Sequence, residues 1–234
     1  MSDLKPSDLL DLDALLSDEE RQIRDLAREW VHDRILPEVD DWYERGEFPA
    51  RELAKELARR ADVVIENFRP GVMRRYGLDE PAVRATNAAV VYCSILGIGR
   101  GEVPGYDFLA QAVGGLMSVT GDPEGEPRKV GVALVDVMAG LHATIGIVAA
   151  LRHRERTGEG QLVEIDLLST TLFSLVNQAS GYLTAGVVPR RMGNRHPSIA
   201  PYETLSASDG PIVVAVGKVA PEWEPYLQST AATA

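Results

Sequence analysis

Cysteine is nearly absent: Cys93 is the only one in 234 residues, so no disulfide can close within the chain, and a reducing compartment is its natural setting. Histidine is scarce as well, and His142, His153 and His196 fall at unrelated spacings that suggest no metal site. Positive charge is in deficit. Twenty-four Lys and Arg face 35 Asp and Glu, and the net charge of −11 argues against a nucleic-acid surface or an anionic membrane as partner. No apolar run is expected to reach the length that spans a bilayer, and the acidic N-terminus is unlike a signal peptide, so the cytoplasm is the expected location. There is no phosphate-binding P-loop, no Ser-His-Asp ordering that geometry would favour, no internal repeat and no Pro/Gly/Ser linker. What remains, 45% hydrophobic and 25% charged, is ordinary for a globular chain long enough to bury a sizeable core.

Residues 1–16 are polar with scattered leucines and are expected to be loosely ordered. Ser17-Asp18-Glu19-Glu20 is a capping-box pattern, and Ile23, Leu26, Ala27, Trp30 and Val31 follow at helical spacing until Pro37. A short segment with Val39, Trp42 and Tyr43 stops at Gly46, and Pro49 opens a third helix. From Ala61 the texture alternates strand and helix. Asp62–Ile65 and Ala89–Ile95 read as strands, Val72–Tyr76 and Pro81–Thr86 as short helical pieces, and Tyr106–Met117 as a helix. Such alternation predicts a parallel sheet with helices on its faces, with ligands at the loops that follow the strands' carboxyl ends, here ENFRPG and SILGIG.

The stretch Lys129–Gln161 organises the rest. An apolar run ends at Asp136, where an N-cap is expected. A helix with small residues at Ala139, Gly140, Ala143 and Gly146 follows, turns basic through Arg152, His153, Arg154 and Arg156, and stops at Gly158. LVEIDLL then reads as a strand leading into another helix, and Pro211–Val216 as a later strand. Cys93, mid-strand among apolar residues, is expected to be a buried small hydrophobe. Taken alone, Asp136 could be only a cap. It could also be a nucleophile, since a helix N-terminus favours the ionised carboxylate that attack requires.

Six blocks, ADVVIENFRPGV, VVYCSILGIG, PGYDFLAQAVGGLMSVTG, GVALVDVMAGLHA, ALRHRERTGEGQ and RRMGNRHPSIAPYETL, closely resemble the family III CoA-transferases (the CaiB/BaiF group) in that family's order. The resemblance implies that Asp136 is the catalytic nucleophile. It would attack an acyl-CoA thioester and pass through an aspartyl anhydride and an aspartyl-CoA thioester before a free acid takes the CoA. It also implies that Asn67, Phe68, Gly71 and Arg75 line a CoA site, with Tyr106 and Asp107 as an active-site pair. Read without it, ENFRPG is a Pro-Gly turn with a solvated arginine, and Tyr106-Asp107 an ordinary helix start. The net negative charge is no objection to CoA, whose phosphates need only a local basic pocket. No tightly bound cofactor or metal is implied; the partners are an acyl-CoA, a carboxylic acid and a second copy in a homodimer. The multiple-glycine loop of formyl-CoA transferase is missing near Gly193-Asn194, and at Asp166 and Ser169 the family's serine and aspartate are exchanged, so the strand-to-helix cap there is expected to differ.

The front piece, LLSDEERQIRDLAREWVHDRILPEVDDWYERGEFPARELAKELA, resembles instead the N-terminal helices of acyl-CoA dehydrogenases, the glutaryl-CoA dehydrogenase type most closely. No flavin-binding or catalytic-base segment of that family follows, so FAD is not expected. The expected fold is therefore α/β, a partial parallel sheet with flanking helices preceded by an α-helical segment. The expected divisions are residues 1–58, 59–188 for a large-domain portion, 189–217 for the start of a small domain, and 218–234 as an unmatched tail. Either two reading frames have joined near ELAKELARRADVV or the architecture is a natural pair of domains. The strand–helix–strand unit with which relatives begin is replaced, so Asp62–Ile65 is expected at a sheet edge and the chain as an incomplete or fused copy. The other readings are a non-catalytic CoA-binding or dimer-interaction fragment and, further off, an acyl-CoA dehydrogenase.

Overall fold

The computed structural model describes residues 15–99 and 103–215. The expectations for residues 1–14, for Val216 and Gly217 and for the tail 218–234 lie outside the described residues. The chain divides after Ala54 into two units, each taken by itself.

The first unit is helical. Ser17 caps α1 (Asp18–Arg34): its hydroxyl accepts from the Glu20 amide, while its own amide donates 2.7 Å to the Glu20 carboxylate, so the capping box closes in both directions. No residue of α1 is buried, and Ile23 and Leu26 of its apolar stripe are exposed. Pro37 follows its end, α2 (Val39–Arg45) stops on a left-handed Gly46, and α3 (Ala50–Ala58) begins after Pro49. Trp42 is buried and meets Phe48 edge-on with ring centroids 5.6 Å apart.

The second unit is built on three parallel strands in the order β1 (Val63–Glu66), β2 (Val91–Leu96), β3 (Leu162–Asp166). Val63 pairs with Val91, and Tyr92 with Leu162. β2 is central, and Val91, Tyr92, Cys93 and Ser94 are buried, as a strand covered on both faces should be. β1 is an edge of the described sheet. Alternation sends Tyr92 into a cluster with Ala58, Val83 and Val90, the last three supplied by α3, α5 (Glu80–Arg84) and the turn before β2. The opposite face carries α8 (Leu134–Thr157), with Ala139, Val135, Ala110 and Leu167 packed together. α4 (Val72–Tyr76), α6 (Asp107–Val113), α7 (Leu116–Val119), α9 (Leu167–Ser174) and α10 (Val176–Ala185) complete the helices, and β4 (Tyr202–Ala207) pairs antiparallel with β5 (Gly210–Ala215).

Four expectations need correction. The helix read from Tyr106 to Met117 breaks at Gly114-Gly115, where Gly115 adopts φ 85°, into α6 and α7. α8 begins at Leu134, not after Asp136: Ala133 holds the N-cap position without a side-chain bond, and Asp136 is the third helical residue. By length and composition α8 is also long and apolar enough to cross a membrane, against the expectation that no run is; here it packs along β2, β3, α6 and α9. Despite the exchanged block at its start, α9 is capped normally, the Asp166 carboxylate accepting from the Ser169 amide at 2.8 Å.

Gly158 ends α8 with φ 78°, and Arg154 in the last turn bonds Asp62 at 2.9 Å, tying the helix end to the start of β1. Two residues on, Gly160 donates to the Ala88 carbonyl and accepts from Arg84 at 2.7 Å. A Cβ at Gly160 would fall on the Val90 carbonyl, so only glycine lets β3 enter beside β2 this closely.

Candidate functional site

Because the strands are parallel and α8 crosses back from β2 to β3, the carboxyl ends of all three strands and the N-terminus of α8 gather at one end of the sheet. There they enclose a cavity of about 110 Å³. Asn67, Phe68, Arg69 and Pro70 come from the loop after β1, Ile95, Leu96 and Gly97 from the end of β2, and Val103, Gly105, Asp136 and Leu167 complete the wall. Asp136 is the one carboxylate among these residues. Gly97 and Gly105 meet backbone to backbone: a Cβ on Gly97 would lie 2.5 Å from the Gly105 Cα. Two glycines are therefore the condition for the segments after β2 and before α6 to close this side of the cavity.

Desolvation, and next the charge of Asp107, raise the pKa of Asp136 above the ordinary aspartate value. The helix dipole acts the other way, in favour of the anion. Once ionised, a carboxylate of raised pKa is the stronger base and nucleophile. Asp107 reaches the same helix start: one of its oxygens accepts from the Val135 amide at 2.7 Å and the Asp136 amide at 3.3 Å. Its other oxygen accepts from the Gln111 side-chain amide at 2.6 Å, and the Gln111 carbonyl oxygen accepts from the Val130 amide at 2.8 Å.

Of the residues singled out in the sequence, Asn67, Phe68 and Asp136 share the cavity. Gly71, with φ 84° at the start of α4, lines a neighbouring hollow of about 390 Å³ together with Phe68, Arg69, Arg74, Ser94 and Glu164. Arg75 is exposed on α4 and lines neither space. Among the described residues the cation in the cavity wall is instead Arg69, which both hollows share, while Arg74, 3.4 Å from Asp79, lines only the larger one. Tyr106 is 63% exposed and lines neither. Asp107 is held by amides of the chain, as described. Sequence reading weighed Arg69 only as the arginine of the ENFRPG turn, and passed over Gly97, Gly105 and Gln111 as site residues. Only Gln111 left a legible trace, four residues after Asp107 and so on the same helix face. Among the described residues no cluster of His, Cys, Asp or Glu could hold a metal, and His142 lies edge-on to Phe173 at 5.2 Å.

Comparison with known proteins identifies the family and the fold. Residues 47–231 match the model of CoA-transferase family III, and residues 17–62 match the acyl-CoA dehydrogenase N-terminal domain. The succinate–glutarate CoA-transferase of Agrobacterium fabrum is 44% identical over 169 residues, covering 70% of this chain and 42% of that protein. The succinyl-CoA:mesaconate CoA-transferase of Haloarcula hispanica is 39% identical over 173 residues, covering 70% and 44%. The chain thus spans less than half the length of the curated relatives it matches. Among solved structures, a CaiB/BaiF family protein from Brucella suis superposes with a TM-score of 0.66 at 48% identity, covering 71% of this chain and 45% of that one. A Mycobacterium tuberculosis protein gives 0.64 at 28% identity, covering 77% and 47%. From the strand ends that carry ENFRPG and SILGIG to the aspartate in the first turn of α8, this chain belongs to the family III CoA-transferases.

Proposed function

We propose that the chain transfers CoA between an acyl-CoA thioester and a free carboxylic acid, with Asp136 as nucleophile. The observation that carries the reading is the Asp136 carboxyl as the one acid among the described residues that line a cavity walled by the Asn67–Pro70 loop, in a family III chain. An Asp136 oxygen attacks the thioester carbonyl carbon, the C–S bond breaks, and CoA thiolate leaves an aspartyl anhydride. The thiolate attacks the aspartyl carbonyl carbon and expels the donor acid as its carboxylate, leaving an aspartyl-CoA thioester. An acceptor carboxylate then attacks that carbonyl and releases thiolate. The thiolate takes the acceptor's acyl group, and the Asp136 carboxylate is regenerated. No net proton moves, and each exchange is between similarly activated acyl groups, so no intermediate is a deep trap. Asn67, Phe68 and Gly71 are read as the CoA side of the site, their loop offering amides and a stacking face, with Arg69 and Arg74, rather than Arg75, as cations for phosphates.

The relatives named for succinate, glutarate and mesaconate support short dicarboxylic acids as donor and acceptor. Residues 17–62 are read as a piece of acyl-CoA dehydrogenase origin joined to this core, the assembly as a homodimer, and the setting as the cytoplasm, where the buried Cys93 thiol stays reduced. Exchange with a heavy-oxygen-labelled acceptor acid tests the mechanism, because the returning oxygen must appear in the peptide bearing Asp136. Unlabelled peptide under turnover would exclude the anhydride. The exposed side chains of Phe68 and Tyr106 favour a second reading, a CoA-binding module without turnover. Titration calorimetry showing CoA binding with no exchange would select it.

A further inference from the structure

The first amides of an α-helix have no acceptor within the helix. In α8 the residue placed to cap them, Ala133, has no side-chain oxygen, and the acceptor arrives instead from α6. We propose that Asp107 is the positioning residue for Asp136, capping α8 from another helix and so fixing the turn from which the nucleophile reaches the acyl group. The proposal rests on the reading of Asp136 as the nucleophile.

Three donors occupy the Asp107 carboxylate: the Val135 and Asp136 amides on one oxygen and Gln111 on the other. Gln111 is fully buried, and its own carbonyl oxygen holds the Val130 amide, so the segment leading into α8 is fastened through the same pair of side chains. Asp107 does not line the acyl cavity. A substrate contact would have to break bonds that orient the helix, whereas a carboxylate kept behind the helix start can act throughout the reaction. Positioning matters at this scale, because a nucleophile displaced by about 1 Å loses on the order of 100-fold in rate.

Among the described residues the charged groups around Asp136 are few. α6 contributes Asp107, and the loop after β1 contributes Arg69, which lines the same cavity. The end of β2 and all of α9 contribute none, and Asp166 at the end of β3 is engaged in capping α9. Asp107 therefore has two separable effects, an acceptor oxygen for the amides and a negative charge that raises the Asp136 pKa.

Full-length protein carrying Asp107→Asn keeps an acceptor oxygen and loses the charge; Asp107→Ala loses both. The carboxyl of Asp136 is titrated by carbon NMR, and the amides of Val135 and Asp136 are followed by hydrogen exchange. In Asp107→Asn the Asp136 titration moves to lower pH, and the acid limb of CoA exchange moves with it, while both amides stay protected. In Asp107→Ala both amides exchange about fivefold faster or more, the effect of a lost cap. A general loss of stability would move neither the Asp136 titration nor these two amides selectively. Wild-type amide rates in Asp107→Ala overturn the proposal. Should Asp107→Ala not fold, the same two amides are read in Asp107→Ser, whose shorter side chain does not reach them, and wild-type rates there overturn the proposal. Undiminished CoA exchange by Asp136→Asn would instead overturn the nucleophile and leave the cap standing.

Discussion

At the scale of single residues, Asp136 combines two demands that oppose each other. Its raised folded pKa means that the fold disfavours the charged form. The disadvantage is present in full above the folded pKa and disappears below the unfolded value of about 3.9, where both states are protonated. Asp136→Asn should therefore be more stable than the wild type at neutral pH in urea unfolding, and the difference should close as pH falls toward 4 and below. An equal difference at all pH values would show that charge is not its source. Exchange activity should move the other way, with Asp136→Ala losing at least about a thousandfold, roughly 4 kcal/mol of barrier. Two glycines make a sharper pair. Gly160→Ala puts a methyl into the Val90 carbonyl and should cost on the order of 3 kcal/mol or more. Gly140→Ala meets nothing within 4 Å and should gain about 0.5–1 kcal/mol of helix stability. The candidate nucleophile could be picked out of the sequence because GVALVDVMAGLHA carries it. Its cap could not, because the carboxylate that supplies it is remote in sequence, 28 residues from Val135, and local rules see only neighbours.

At the scale of elements, local chemistry was read well wherever it decides. Ser17, Gly46 and Gly158 bound their helices as their side chains or φ values require, and Val72–Tyr76 is the helix that was expected. Tertiary contacts decided the rest. α8 starts three residues earlier than an N-cap at Asp136 would place it, with Asp107 accepting from its first amides, and α6 ends early because Gly114-Gly115 breaks the helix. Amphipathic spacing identified α1 correctly, yet none of its residues is buried, so few contacts resist its opening. Hydrogen exchange should accordingly be fastest in α1 and slowest in β2, whose Val91 and Cys93 are wholly inaccessible. Protection of α1 equal to that of β2 would mean that it is held by contacts other than those described.

Across the whole molecule, the parallel topology was foreseeable from the alternation of strands and helices, whereas the apolar surface was not. Val137, Leu141, Ile145 and Val148 form an exposed stripe along α8, and Leu172 and Phe173 are exposed on α9. Composition cannot reveal this, because the same residues would look alike in a covered core. The net charge of −11 opposes association, and the stripe promotes it. The apolar term should prevail at high salt, where screening removes the repulsion. Light scattering is then expected to rise with salt in the wild type and to rise less in Ile145→Lys, with unchanged unfolding midpoints.

The central strand also sets a clock. β2 can pair with β1 as soon as both have been made, but its other partner, β3, waits until residues 97–161 have followed. At roughly 5–20 residues per second during synthesis, that interval lasts several seconds. For all of it, one side of the most apolar strand in the sheet is open, and the closing step is admission of Gly160 beside Val90. A bulkier residue at 160 would thus do more than weaken the finished protein: it would prolong the interval in which the nascent chain can pair with a neighbour instead of with itself.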